Sequence, residues 1–341
     1  MPLEFMTEVS NIQIYQPVEL IENYSPNSNH KKLDFKKELL NFLNRSNSAG
    51  TRSTYANYLK DFFEFNKLKF PSEIVDEDVL RWRDSMKRSG KKENTIKTKL
   101  ACVRSFFEYL CRKGFLIHNP ANTYLVPPPK VADILSGRAL DGGEVKNLLS
   151  LPKIETITGA RDYALIMLML RCFLRVSEAL SLRDTDFFPR KGIWYAEIKI
   201  KGGERKSTPI PLEVKQAIDA YLLLDRDHRR LVKARENEGK FIFLPSAAKK
   251  RDITENKAIG SRHAWHLVKA YGRLSGIGKL TPHDFRRTAI TKALDQGESY
   301  RRVQNAARLK NISTVRRYDQ HREALEENSI LTLNYDEKPE S

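Results

Sequence analysis

The chain has 341 residues, 40% of them apolar, which is enough for two domains with hydrophobic cores of their own. Its longest apolar stretch, residues 163–170, is too short to cross a bilayer, and its N-terminus lacks the basic region of a secretory signal peptide. These features exclude fibrous, membrane-spanning and secreted proteins. We therefore expect a globular cytoplasmic protein.

The formal net charge of +17 is unevenly distributed. Residues 1–29 hold four acidic residues and no lysine or arginine, and residues 326–341 hold five acidic residues and one lysine. The body of the chain is therefore even more basic than the whole. This pattern is typical of a protein that binds a polyanion, most commonly nucleic acid. The alternative is a basic surface that serves only solubility.

Helices dominate the first part of the chain, after an acidic arm at residues 1–29. Between residues 30 and 120, apolar side chains recur every three or four positions, which predicts a helical domain. The predicted helices lie at residues 35–43, 55–65, 76–86 and 94–110. Basic residues of the fourth helix lie opposite its apolar side, and we interpret them as DNA-binding: Lys97, Lys99 and Arg104.

A proline-rich linker separates this domain from a second one. Three prolines at 127–129 hold the chain in an extended conformation, so we place the linker at residues 121–138. The second domain then occupies residues 139–325, and residues 326–341 form an acidic tail.

The second domain alternates helical and strand patterns. Helices are predicted at residues 143–150 and 160–182. Alternating apolar and polar residues at 194–200 predict a strand, which a glycine-containing turn joins to a second strand at 207–212. Helical sequence continues from residue 213 to about residue 322.

Residues 281–288, with the sequence TPHDFRRT, predict a helix that begins at an anion site. Thr281 is a suitable N-cap, and Asp284 is placed as its capping-box partner. His283 and Arg286 follow one turn apart, where free N–H groups and the helix dipole favour an anion. We therefore expect a phosphate pocket. The alternative is an ordinary capped helix with exposed basic residues.

Three further residues stand out. Arg175 follows a buried apolar run and must be paired, either with Glu178 one turn later or with a polar ligand. Lys201 lies in the hairpin turn, where a solvated lysine is the alternative reading. Tyr318 lies among charged residues, which indicates that it faces a polar group.

Together these segments resemble the tyrosine recombinases, also called the phage-integrase family. The family motif G-L-R-x-S-E-L-L-x-L is similar to FLRVSEALSL at 173–182, and the box T-P-H-x-L-R-H-T is similar to residues 281–288. The hairpin lysine corresponds to Lys201, and the tyrosine of T-T-x-x-Y corresponds to Tyr318. The first domain resembles the core-binding domain of the family, so the likeness covers about residues 33–325.

Two positions depart from the family pattern. Members usually carry L-G-H about nine residues before the tyrosine, whereas this chain has Ala307, Arg308 and Leu309. Leu309 cannot donate the hydrogen bond of the usual histidine, and Arg308 offers an alternative donor. Phe173 replaces a glycine, which we interpret as a packing variation.

The resemblance implies a mainly α fold with a small β-hairpin, in which two domains form a C-shaped clamp around duplex DNA. It also implies cleavage through a 3′-phosphotyrosine, without metal, ATP or another cofactor. Glu178 would support catalysis by orienting Arg175 or His283. The implied catalytic residues are the nucleophile Tyr318 and the groups that assist it, Arg175, Lys201, His283 and Arg286.

The implied function is site-specific recombination or integration of double-stranded DNA by a nucleoid-associated synaptic tetramer, through a Holliday junction. Directionality or host factors are possible partners. The apolar residues 330–333 of the tail either dock on a neighbouring subunit or fray. Two alternatives remain open: a type IB topoisomerase, and a non-catalytic DNA-binding descendant, which Leu309 suggests.

Overall fold

The computed structural model describes five stretches of the chain: residues 33–131, 137–200, 203–236, 238–245 and 254–319. The chain divides into two units between Ala132 and Asp133, and each unit has its own hydrophobic core. The acidic arm at 1–29, Lys201 and the tail at 326–341 lie outside the described residues.

The described part of the first unit contains four α-helices: α1 (Phe35–Asn44), α2 (Ala49–Phe65), α3 (Asp76–Arg88) and α4 (Glu93–Arg112). The side chain of Ser48 caps α2 by accepting the N–H of Thr51 at 3.3 Å. The regular apolar spacing brings aromatic side chains together in the core, where Phe62 and Trp82 meet edge to face with ring centroids 5.0 Å apart. Packing of these faces stabilises the unit.

The second unit is built around a central helix that is buried on nearly all sides. Its helices are α5 (Gly142–Ser150), α6 (Ile157–Arg171), α7 (Val176–Leu180), α8 (Leu212–Leu224), α9 (Arg226–Leu231), α10 (Ser261–Leu274), α11 (Pro282–Asp295), α12 (Tyr300–Ala306) and α13 (Ile312–Asp319). The buried helix is α6, whose residues 164–170 are almost all apolar. It packs against α8 and α11, so the long apolar run is the centre of the core.

A three-stranded antiparallel sheet follows α7 and precedes α8 in the chain. Its strands, in the order β1-β2-β3, are β1 (Phe187–Arg190), β2 (Ile193–Lys199) and β3 (Arg205–Ile210). The prediction of a mainly α fold with a small β-sheet is therefore confirmed. The predicted two-stranded hairpin lacked β1, because this four-residue edge strand contains Pro189 and shows no clear alternation.

The predicted helix at 160–182 is wrong over its middle, because the chain breaks between α6 and α7. Phe173 there has φ +55°, a left-handed conformation that cannot continue an α-helix. The sequence conceals the break, because Leu174 is fully buried and extends the apolar pattern. The break makes Arg175 the N-cap of α7.

Among the described residues, no helix is both long enough and apolar enough to cross a membrane.

Candidate active site

The break before α7 places Arg175 over a buried carboxylate. Its backbone N–H donates to Oε2 of Glu178 at 3.0 Å, and its Nη1 donates to Oε1 at 2.6 Å. The Glu178 side chain is 5% exposed and that of Arg175 is 37% exposed. Glu178 therefore anchors a guanidinium that still reaches solvent. The sequence predicted that Glu178 orients either Arg175 or His283, and the described contacts join it to Arg175.

The start of α11 is fixed by the capping box that the sequence predicts. Oδ2 of Asp284 accepts hydrogen bonds from the N–H and the hydroxyl of Thr281, both at 2.7 Å. Its Oδ1 accepts the N–H of Arg138 at 3.2 Å, and Thr288 accepts the N–H of Leu140 at 2.9 Å. The segment that enters the second unit is thus tied to the helix that carries Arg286.

Arg286 lies beneath the surface, one turn into α11, with a side chain that is 3% exposed. It donates hydrogen bonds to the carbonyl oxygens of Phe173 and Ala307, and its Nη1 lies 3.9 Å from Oε2 of Glu178. Burial lowers the pKa of Arg286 to about 10, and the charge of Arg175 acts in the same direction. The guanidinium remains protonated at neutral pH and carries its charge into the site.

Tyr318 is carried by α13 and packs in the same apolar cluster as Phe173 and Ala307, whose carbonyl oxygens accept the hydrogen bonds of Arg286. The ring is half-buried and packs against a small apolar cluster. The buried members of this cluster are Ile290, Leu294, Val303, Ala307 and Val315. At the end of the helix, the hydroxyl of Tyr300 donates to the carboxylate of Asp319 and fastens α13 to α12.

A third guanidinium, that of Arg308, reaches the same carboxylate. Its Nη2 donates to Oε2 of Glu178 at 3.2 Å and to the carbonyl oxygen of Phe173 at 2.9 Å. Sequence reasoning treated Arg308 only as a substitute donor and missed this contact. The sequence feature that could have revealed this contact is the charged residue Arg308 at a position where the family pattern has glycine. Leu309 instead packs against the apolar cluster below Tyr318.

The site therefore holds three guanidinium groups around one carboxylate. Burial acts to raise the pKa of Glu178, but the backbone N–H of Arg175 and the charges of Arg308 and Arg175 outweigh it, so the pKa is lowered. The group of four side chains has an excess of two positive charges. Such an excess in a partly desolvated place favours binding of an anion such as a phosphodiester.

The lowered pKa of Glu178 predicts an acid-dependent loss of stability. Because the folded-state pKa lies below the ordinary value of 4.5, the contribution of this group is fully present above about pH 4.5 and is lost as the pH falls towards the folded pKa. We expect the stability difference between wild type and Glu178→Gln, measured by urea unfolding, to shrink as the pH is lowered. A difference that does not change with pH would contradict this.

His283 and Lys201 complete the predicted catalytic set. His283 is exposed on the first turn of α11, three residues before Arg286. Lys201 lies outside the described residues, between β2 and β3 in the sequence. The described contacts bring Arg175, Glu178 and Arg286 together, with Tyr318 nearby. Within the same described stretches, no group of three or more His, Cys, Asp or Glu residues is placed to hold a metal ion.

The three predicted DNA-binding residues of α4 have different surroundings. Lys97 is exposed. The ammonium group of Lys99 donates a hydrogen bond to the carboxylate of Asp61. Arg104 donates from Nε and Nη2 to backbone carbonyl oxygens within residues 121–126, at 2.7 and 3.1 Å. Their role in DNA binding stays a prediction, and Arg104 also holds the segment that follows the helix.

These surroundings predict different effects of substitution. Lys97→Ala should weaken the salt dependence of DNA binding, because one phosphate contact is lost. The negative slope of log affinity against log salt concentration should become less steep by about 0.9. Arg104→Ala should instead lower the free energy of unfolding of the first unit by about 1.5–3 kcal/mol, because a charged donor to two carbonyls is lost. Salt-dependent DNA binding and thermal unfolding of both variants check this. An Arg104→Ala variant as stable as wild type would contradict it.

Family models match both units. The model of the phage integrase family matches residues 138–324, and the model of the phage integrase N-terminal SAM-like domain matches residues 35–114. Tyrosine recombinase XerC of Thermodesulfovibrio yellowstonii is 28% identical over 287 residues, which cover 82% of this chain and 90% of the relative. Tyrosine recombinase Synpcc7942_B2651 of Synechococcus elongatus is 30% identical over 261 residues, which cover 75% and 76%.

Solved structures show the same fold at low sequence identity. XerH recombinase bound to a palindromic difH substrate has a TM-score of 0.64 and 19% identity, over 90% of this chain and 92% of that one. A lambda integrase (75–356) dimer bound to a COC′ core site has a TM-score of 0.63 and 14% identity, over 85% and 95%. The matched family model covers more than half of the chain. The protein therefore belongs to the phage integrase family and is a tyrosine recombinase.

Proposed function

We propose that the protein is a site-specific DNA recombinase that cleaves and rejoins strands through a 3′-phosphotyrosine intermediate. The observation that best supports this is the meeting of Arg175, Arg286 and Arg308 on the single carboxylate of Glu178, beside the half-buried Tyr318. This arrangement has an excess of positive charge next to a hydroxyl nucleophile, which suits a phosphodiester substrate.

The arginines would stabilise the charge that develops during cleavage. A phosphodiester under attack gains negative charge on its non-bridging oxygens, and planar guanidinium groups can hold two such oxygens at once. Arg175 and Arg286 are our candidates for this role. Because Glu178 and backbone carbonyls hold these side chains, little reorganisation is needed when the substrate binds.

The nucleophile in this proposal is the phenol oxygen of Tyr318. It forms a bond to phosphorus while the bond to the 5′-oxygen breaks, and the phenol proton passes to His283. A proton acceptor is needed because a phenol has a reference pKa of about 10. Lys201 would protonate the departing 5′-oxygen. The phosphotyrosine keeps the energy of the broken bond, so the 5′-hydroxyl of another strand can reverse the step.

The substrate is double-stranded DNA. We propose that both units, at residues 30–120 and 139–325, contact the duplex and are joined by the linker at 121–138. Four such subunits would form a synaptic tetramer that exchanges strands through a Holliday junction, with residues 330–333 docked on a neighbour. We further propose that the enzyme is cytoplasmic and nucleoid-associated, with directionality or host factors as further partners.

The test is recovery of covalent adducts from DNA of the source organism. Purified protein is incubated with sheared genomic DNA in EDTA, the mixture is denatured with SDS, and fragments bound to protein are sequenced. We expect fragments that share one site, and a tryptic peptide that carries a nucleotide on Tyr318. An adduct that needs a divalent metal, or one on another residue, would contradict the proposal.

Two other outcomes correspond to the alternatives. Binding of DNA without any adduct would identify a non-catalytic descendant, which the missing donor at Leu309 favours. Adducts together with relaxation of a plasmid that carries two copies of the recovered site, but without exchange between them, would identify a type IB topoisomerase.

A further inference from the structure

We propose that Arg308 is a positioning residue for strand cleavage: it fixes the carboxylate and the carbonyl that hold the two phosphate-binding arginines. The proposal rests on the proposed function and deepens it, because it gives a role to a residue that occupies the place of a glycine in the family pattern.

The backbone directs the Arg308 side chain into the site. Arg308 follows the end of α12 with φ +51°, in the left-handed region that favours glycine. The N–H of Leu309 donates to the carbonyl of Gln304 at 3.0 Å and closes the helix end. The Arg308 side chain is only 3% exposed. A long charged side chain is thus kept buried on a strained backbone, which requires an explanation.

The guanidinium of Arg308 shares two of its acceptors with other arginines of the site. Its Nη2 lies 3.2 Å from Oε2 of Glu178, the oxygen that also accepts the backbone N–H of Arg175. The same Nη2 donates at 2.9 Å to the carbonyl of Phe173, to which Arg286 also donates. Arg308 therefore contacts the group that anchors Arg175 and a group that anchors Arg286.

A second contact extends from Arg308 to the sheet. Nη1 donates to the hydroxyl of Thr208 on β3 at 3.3 Å. The β2–β3 turn at the other end of this strand contains Lys201, the predicted proton donor. Arg308 therefore joins α7, the segment before it, and the sheet that carries the turn. Removing its guanidinium would take one hydrogen bond from each of these three elements.

Stability alone does not account for this side chain. Nε of Arg308 is the one buried side-chain nitrogen or oxygen in the described part of the chain that has no hydrogen-bond partner. Such an unsatisfied donor is destabilising. Burial also lowers the pKa of Arg308, and the nearby charge of Arg175 adds to this, although Glu178 opposes both. Such penalties are typical of functional sites, where activity is gained at the expense of stability.

The experiment compares Arg308→Met, which fills similar space without charge, with Arg308→Lys, which keeps the charge. Arg302→Met is the matched control, because Arg302 is 77% exposed on α12. Single-turnover cleavage is measured at saturating concentrations of the duplex recovered as an adduct, together with DNA affinity and melting temperature. We expect Arg308→Met to cleave about 100-fold more slowly, the loss typical of a misplaced reacting group. Its affinity and melting temperature should stay close to those of wild type.

Arg308→Lys should recover part of the rate, because its single ammonium nitrogen can take the place of Nη2 but not also that of Nη1, which donates to Thr208. Arg302→Met should cleave like wild type. Two results would overturn the proposal. One is a folded Arg308→Met variant that cleaves at the wild-type rate. The other is a fall in melting temperature large enough to explain the loss, which would make Arg308 a purely structural residue.

A second measurement does not depend on cleavage. The guanidinium Nε–Hε resonances of Arg175 and Arg286 are recorded by NMR in wild type and Arg308→Met during titration with inorganic phosphate. We expect both resonances to shift in the variant and phosphate to bind more weakly. If wild type forms no adduct, the proposed function fails. If the two resonances and their phosphate titration are unchanged by Arg308→Met, the positioning role fails.

Discussion

Replacing Tyr318 with phenylalanine should abolish the covalent protein–DNA species and leave DNA affinity nearly unchanged. The substitution removes only the hydroxyl that we propose as the nucleophile, and the ring can keep its packing against the apolar cluster of Val315 and its neighbours. Denaturing gels of protein incubated with the recovered duplex report the adduct, and gel shifts over a range of salt concentrations report the affinity.

Tyr195→Phe is the matched control, because Tyr195 lies in β2, where its ring stacks on Phe188. We expect this variant to form the adduct as wild type does. Adducts that persist in Tyr318→Phe would mean that another residue is the nucleophile. A variant that loses both the adduct and DNA binding would mean that Tyr318 supports binding.

Glu178→Gln should lower the free energy of unfolding of the second unit by about 3 kcal/mol, the low end of the range for breaking a buried ion pair. The amide removes the one negative charge that Arg175, Arg286 and Arg308 share, and two of these guanidiniums are almost fully buried. Like charges would then face each other in a place that water screens poorly. Hydrogen exchange of peptides from the second unit during urea titration measures the change.

The matched control is Glu213→Gln. Glu213 pairs with Arg171 at the surface, where its side chain is 45% exposed, so its substitution should change stability by no more than about 0.5 kcal/mol. Phosphate or DNA should restore more stability to Glu178→Gln than to wild type, because the anion takes the place of the lost charge. Equal effects of the two substitutions would show that Glu178 does not balance the three arginines.

Much of the fold could be predicted from apolar spacing. The four helices of the first unit follow it, and in the second unit β2 follows strict alternation between Trp194 and Lys199. The break at Phe173 could not be predicted, because Phe173 and Leu174 continue the apolar run and the break shows only in the backbone conformation. Edge strand β1 was missed because it has only four residues and contains Pro189, although a two-residue turn joins it to β2.

The site was partly predictable, for a different reason. The capping box of Thr281 and Asp284 is a local pattern, so its geometry follows from the sequence. The contact between Arg286 and Glu178 joins residues more than a hundred positions apart, and only the resemblance to a family brought them together. The contact of Arg308 with Glu178 was missed, because the family pattern has glycine there and so gives no partner for a side chain at that position.

The attachment of α13 to its own subunit has a consequence for assemblies of this chain. The Tyr300–Asp319 contact and the apolar packing of Tyr318 keep the phenol beside Arg286 of the same polypeptide. We therefore expect each copy to supply its own nucleophile and its own phosphate-binding arginines. In a mixture of active and inactivated copies, we expect the number of cleaved strands to rise in proportion to the number of active copies. A copy without the Tyr318 hydroxyl and a copy without the Arg286 guanidinium should not restore cleavage to each other.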